Sequence, residues 1–345
     1  MERIPVLDIA RIVASQIVMI GHLRTQMLPD HKLIGEAPLW SKAVAFLAGF
    51  QGSAVIIFFV VSGWQVGGRF LRTDMGQTDI LQYLTDRVSR LWTVLIPLLV
   101  LSALLGAAGF LPAWVPLGPT AFVANLFGLQ TLLAPNYAGN SPLWSLANET
   151  FYYLLLPAIV ALASRRAVPI FFSATIFAIY LSIGTASLWL YGLIWFTGAL
   201  FSFVTIRPNR FAYATAAFGI ALLVHRMLRL DEVFLVEWGY AILFCIMVAS
   251  GRRVKLLDRQ VVFFQRYTFS LYVLHVPLML MLFEALPDKE VLDELPSLTR
   301  LALFGAIVLL INLAAYLFYL AFEQHYVKVR RWIKAHTASR AASAP

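Results

Sequence analysis

Apolar residues in this chain recur in runs of roughly 17–25, separated by shorter polar segments, and an α-helix of that length crosses about 30 Å of hydrocarbon. The pattern predicts an all-α, polytopic membrane helix bundle of about ten transmembrane helices. Their expected positions are 4–27, 43–67, 91–111, 143–164, 167–184, 186–205, 211–228, 234–250, 261–286 and 301–323. The stretch 120–134 is apolar but short, so it is expected as a re-entrant or interfacial helix rather than a span. A single membrane-embedded domain over residues 1–334 follows, and the small, polar residues 335–345 predict a disordered tail.

Composition agrees with the pattern. Sixty per cent of the 345 residues are apolar, 13% are charged and the mean hydropathy is +0.78, whereas about a quarter of a soluble domain's residues carry charge. The one cysteine, Cys245, lies inside an apolar run, which excludes a disulfide framework and reads as a small core residue. Asp8 and Arg11 interrupt the first run where a cleavable signal peptide needs an unbroken apolar core, so none is expected.

A net charge of +9 raises the question of nucleic acid, and the placement of the charges answers it. With a cytoplasmic N-terminus, eighteen of the 27 Lys and Arg residues fall on inner segments and seven on outer ones. The positive-inside bias therefore predicts cytoplasmic N- and C-termini, with the bilayer rather than nucleic acid as the partner. Arg226 and Arg229 go against the bias, as a miscount of spans near 211–250 would explain.

Ionisable groups inside hydrocarbon cost at least a few kcal/mol and tend to mark function. On the first helix, Arg11 and His22 are eleven residues apart, which puts them within about 20° on the circumference and about 16 Å apart along the axis. Asp8 lies about 60° from Arg11, either as a local ion-pair partner or as part of a polar stripe with Ser15. In the fourth helix, Ser145, Glu149 and Tyr153 share a face at i, i+4 spacing, next to Trp144. Glu149 is expected at the depth of His22, where a carboxylate could orient the imidazole and leave its other nitrogen to accept a hydroxyl proton. Tyr272 and His275 are i, i+3 neighbours before Pro277, and structural and catalytic readings of His275 stand equal. Near the inner end of the second helix, Ser62 precedes Gly63, which permits close backbone approach. Arg69 and Arg72, with Arg87 and Arg90, frame the following inner loop; they serve either as topology charges or as a grip on phosphates. No Walker A loop, GxGxxG or metal-ligand cluster is evident in the sequence, so any nucleotide is expected to be held by arginines and no metal is expected.

Five stretches carry a family resemblance: LDIARIVASQIVMIGH, FFVVSGW, RVSR, PLWSLANETFYYLLLP and YTFSLYVLHVPL, in that order across residues 7–278. In these the chain resembles acyltransferase family 3, integral membrane proteins that O-acylate bacterial surface carbohydrates and related acceptors. The resemblance implies an acyl-CoA donor, most often acetyl-CoA, arriving from the cytoplasm, with no permanently bound cofactor. It also implies a carbohydrate or lipid-linked glycan acceptor and a place in the bacterial cytoplasmic membrane. Arg11 and His22 would be essential, Arg87 and Arg90 would serve the donor, and Glu149 would belong to the site. The chain departs from the family in lacking the Gly common just before the helix 1 Arg, and in the Gln-His-Tyr that follows Glu323; neither is expected to touch the chemistry.

The expected reaction has His22, oriented by Glu149, remove a proton from an acceptor hydroxyl that attacks the thioester. The competing reading is a transporter or flippase for a lipid-linked glycan, with the polar stripe as its path. No repeated halves of the inverted-repeat kind are evident to support it.

Overall fold

The computed structural model describes residues 3–27, 38–72, 80–163, 185–230, 233–252, 258–285 and 298–342. The expected span 167–184 lies outside the described residues, as do the acidic positions of the last expected outer loop, Asp288, Glu290, Asp293 and Glu294. The described chain is helical: α1 Pro5–Met27, α2 Leu39–Ala48, α3 Gln51–Ser62, a π-helical turn Gly63–Gly67, α4 Gly68–Arg72, α5 Ile80–Ala107, α6 Pro119–Leu126 and α7 Leu143–Ala163. There follow α8 Ala186–Phe201, α9 Phe211–Leu228, α10 Phe234–Ser250, α11 Asp258–Gln265, α12 Thr268–Glu284, α13 Leu298–Ala321 and α14 Tyr326–Ala342. Among the described residues there is no strand beyond the isolated bridge Gln130–Ala134.

Among the described residues, five helical stretches are long and apolar enough to cross a membrane: Pro5–Met27, Leu39–Arg72, Gln82–Ala107, Pro208–Leu228 and Leu298–His336. A sixth is the bent pair α11–α12, with 46° between its halves. Side chains such as Ile220, Val224 and Met227 on α9 and Leu309, Leu313 and Leu317 on α13 are exposed. Apolar faces this continuous are stable against hydrocarbon rather than water, and the chain is a multi-pass membrane protein.

The second expected helix, 43–67, is an assembly of shorter pieces. It starts earlier, at Leu39, and ends later, at Arg72, with a break at Gly49–Phe50 and a π turn directly after Ser62. The ninth is broken near Arg266. The apolar segment at 120–134 forms only the eight residues of α6, about 12 Å of helix and too short to span. The loop after it is tied down by its own amides: Asn125 donates to the Pro135 carbonyl and accepts from the Tyr137 N–H, Gln130 donates to the Leu143 carbonyl, and Asn140 donates to the Val273 carbonyl on α12. That last bond delivers Ser141 and the start of α7 to α12. The tail also differs from expectation, since Ala335–Ala342 continue α14; Ala and Arg are strong helix formers and extend a helix already nucleated upstream. Helices α9 and α10 match 211–228 and 234–250. Arg226 lies over the Phe46 ring of α2, and Arg229 takes the left-handed C-cap of α9.

The largest core cluster gathers α1, α3, α7, α8, α10 and α12 around Phe59, Trp64, Tyr152, Trp195, Tyr240 and Phe244. Its tightest seam is between α3 and α8. A Cβ on Gly63 would meet the Trp195 carbonyl, and one on Gly198 would meet the Val60 carbonyl, so the two backbones touch where either residue must lack a side chain. This seam seats Ser62 against Trp195, whose indole N–H donates to the Ser62 hydroxyl at 3.0 Å.

Gly63→Ala and Gly198→Ala are each expected to lower stability by about 1–3 kcal/mol through overpacking against backbone, read as earlier thermal unfolding in detergent. Gly239→Ala, where an added Cβ has nothing within 4 Å, is expected to be neutral or stabilising.

Candidate functional site

α1, the end of α3 with its π turn, α5, α7 and α12 surround a cavity of about 320 Å³, and α14 closes one side. Nine residues expected from the sequence line it: Arg11, Ser62, Arg69, Arg87, Arg90, Ser145, Glu149, Tyr153 and Tyr272. The i, i+4 spacing on α7 thus does what helix geometry requires, turning Ser145, Glu149 and Tyr153 to one space. Five guanidinium groups (Arg11, Arg69, Arg87, Arg90 and Arg330) face it against two carboxylates, Asp86 and Glu149. A space so lined favours an anion, and the forked donors of arginine suit phosphate.

Arg11, Arg87, Arg90 and Arg330 are each held by named neighbours. Arg11 donates to the Gln65 amide oxygen, which the π turn carries. Arg87 lies over the rings of Tyr83 and Tyr153, at 5.9 and 5.8 Å. Arg90 lies 5.2 Å from the Tyr326 ring centre and 3.9 Å from the buried Glu323 carboxylate. Glu323 in turn accepts from the Ser270 hydroxyl at 2.6 Å and the Ser270 N–H at 3.2 Å. Glu323 therefore supports the cavity wall, and Tyr326, which follows its Gln-His pair, lines the cavity. Arg330, Tyr326 and Asp86 were missed in the sequence. The ion pairs of Asp86 with Arg330 (3.6 Å) and Lys334 (3.1 Å) bring α14 onto α5, and the basic run of α14 reads in sequence only as topology charge.

Three expectations change here. Glu149 does not orient His22: its carboxylate accepts from Tyr153 at 2.5 Å and from Ser62, inside the arginine cavity. Asp8 pairs with Arg3 at 2.7 Å rather than with Arg11. Arg72 points away from the cavity, donating to the Ser202 carbonyl and lying 5.0 Å from the Phe203 ring centre, while Arg69 stays on the lining. Trp144 is likewise outside the lining and packs on Phe59 and Tyr191.

His22 belongs to a second cluster. Its Nδ1 is 3.0 Å from the Val18 carbonyl and 3.2 Å from Nε2 of His275, which is fully buried. Its Nε2 faces the Gln51 amide nitrogen at 3.1 Å and the exposed Ser141 hydroxyl at 3.4 Å. Tyr272 links the two clusters: it lines the cavity, pairs with Ser145 at 2.6 Å, and packs against the ring of His275. Along α1 the centres at Arg11 and His22 are about 16 Å apart. The arrangement offers an arginine-lined chamber at one depth of the bundle and a partly buried imidazole at another.

Comparison with known proteins gives this arrangement its context. No solved structure matches the chain. An uncharacterized protein of Haemophilus influenzae is 30% identical over 145 residues, covering 38% of this chain and 58% of the relative, so the chain spans well under two thirds of that protein. A family profile described as an acyltransferase domain matches residues 4–320, which takes in four of the five chamber arginines, His22 and His275. Nearly the whole membrane bundle is thus the matched domain, and the chain belongs to acyltransferase family 3.

Proposed function

We propose that the protein transfers an acyl group, most simply acetyl, from cytoplasmic acyl-CoA to a hydroxyl of a cell-surface or exported carbohydrate. The observation that carries this reading is the chamber of five arginines set about 16 Å along α1 from an imidazole whose Nε2 faces Gln51 and the exposed Ser141. Coenzyme A combines several phosphates with a long flexible pantetheine arm ending in the thioester. Arg11, Arg69, Arg87, Arg90 and Arg330 would hold the phosphates, and the extended arm would cover the distance to His22. In this reading about ten spans cross a bacterial cytoplasmic membrane with both termini inside. The arginine end then faces the donor and the Gln51–Ser141 end faces the acceptor.

At His22 the acceptor oxygen attacks the thioester carbonyl carbon while its proton passes to His22 Nε2. The carbon–sulfur bond then breaks, and the departing thiolate of CoA takes the proton back from the imidazolium. Glu149 serves the donor chamber, where it fixes the Ser62 and Tyr153 hydroxyls and balances part of the positive charge. An acyltransferase family supports this over a flippase.

His22→Ala is expected to lower transfer of label from [¹⁴C]acetyl-CoA to envelope polysaccharide by about 10²-fold or more, with the purified protein folded as wild type. Undiminished transfer would remove His22 from the mechanism. Arg87→Ala and Arg90→Ala are each expected to raise the donor KM about 10–100-fold, the equivalent of one charge-assisted hydrogen bond of roughly 1.5–3 kcal/mol. Arg72→Ala, whose side chain turns away to Ser202 and Phe203, is expected to leave the donor KM near the wild-type value.

A further inference from the structure

We propose that His275 is a positioning residue that fixes the tautomer of His22, so that Nε2 is the nitrogen free to accept a proton. This rests on the reading of His22 as the base, and its own support is the pattern of donors and acceptors around the two rings.

A carbonyl oxygen only accepts hydrogen bonds, and a neutral imidazole has one donor and one acceptor nitrogen. The Nδ1 of His275 is 3.0 Å from the Leu271 carbonyl, so that nitrogen carries the hydrogen and Nε2 carries the lone pair. The Nδ1 of His22 is 3.0 Å from the Val18 carbonyl, so it too carries hydrogen, which also reaches His275 Nε2 at 3.2 Å. The opposite tautomer of His22 would set its Nδ1 lone pair against two acceptors. A second proton on His275 would bring two N–H groups face to face. One arrangement satisfies every partner: Leu271 carbonyl, His275, His22 and then a lone pair on Nε2 that meets the donors of Gln51 and Ser141.

The rest of the site points the same way. The Gln51 amide nitrogen and the Ser141 hydroxyl, both able to donate, approach His22 at Nε2. They mark the side from which an acceptor hydroxyl can reach the base. A Cβ on Gly21, the residue before His22, would collide with the Gln51 side chain, so the path of Gln51 to the imidazole is kept clear. When Nε2 takes the hydroxyl proton, the new imidazolium keeps two acceptors at Nδ1, the Val18 carbonyl and the neutral His275. His275 is fully buried, with its outer nitrogen directed at His22 and no route to substrate except through it. Its action is on the ring of His22, as that of a partner that orients a ligand histidine.

Two substitutions separate this role from packing. Asparagine at 275 reaches the position of Nδ1 and retains the bond to Leu271 but offers nothing to His22. Glutamine reaches the position of Nε2 and restores an acceptor. With the full-length protein in lipid nanodiscs and ¹⁵N-labelled histidine, His22 (assigned by its loss in His22→Ala) is expected to show protonated Nδ1 and bare Nε2. In His275→Asn it is expected to become a mixture of tautomers, and in His275→Gln to return towards wild type. A protonated Nε2 in the wild type, or an unaltered tautomer in His275→Asn, would overturn the proposal without reference to activity. In [¹⁴C]acetyl transfer to envelope polysaccharide, His275→Asn is expected to lose about 10–100-fold in kcat with an unchanged donor KM, and His275→Gln to recover part of it. Full activity of His275→Asn beside an inactive His22→Ala would refute the positioning role and leave the base in place. An active His22→Ala would instead refute the base, and the tautomer measurement would still decide the geometry.

Discussion

A guanidinium in the hydrocarbon-thick part of a helix bundle must find its partners inside the protein, and much of this structure answers that demand for Arg11. Its partner Gln65 sits in the π turn after Ser62, where the wider winding of five residues re-aims side chains that a regular α3 would point elsewhere. The turn is held by the contact of Gly63 with the Trp195 backbone, so the α3–α8 seam and the binding of Arg11 are parts of one arrangement. The same seam brings the Trp195 indole to Ser62, and Ser62 to Glu149. Satisfying one charge thereby places much of the polar wall of the chamber.

The other arginines follow a related logic with softer partners. Tyr83, Tyr153 and Tyr326 supply ring faces, and Glu323 supplies a carboxylate at 3.9 Å, a separation that steadies Arg90 without neutralising it at contact distance. Close pairing with carboxylates would have left the chamber neutral. The excess of guanidinium groups over carboxylates instead leaves charge to be met by a ligand. The histidine cluster is built differently, from carbonyls, an amide, a hydroxyl and two rings, with no carboxylate among its recorded hydrogen-bond partners. Neutral partners do not fix a histidine as a cation, which suits the proposed base, since it must give its proton back.

What could be read along the chain was whatever depends on one helix at a time. Apolar run length gave the membrane class, and helical periodicity placed Ser145, Glu149 and Tyr153 together and set Arg11 and His22 on one stripe. Gly63 was legible as a close-approach residue because a glycine beside a serine in an apolar helix has few other uses. The breaks within the second and ninth helices were not legible, since each depends on a neighbouring element that holds the broken ends. Arg330 was hidden for a similar reason: a basic residue after the last span looks like topology charge until α14 folds back against α5.

The sequence by itself determined the class of molecule, the axial spacing of the charges on one helix and the face each occupies there, because rise and rotation per residue are properties of a single helix. Only the tertiary structure decided which faces meet. Equal depth suggested that Glu149 would partner His22, but depth leaves open the angle at which one helix presents its face to another. Packing turned Glu149 to Ser62 and the arginines, and gave His22 a partner 253 residues away in His275.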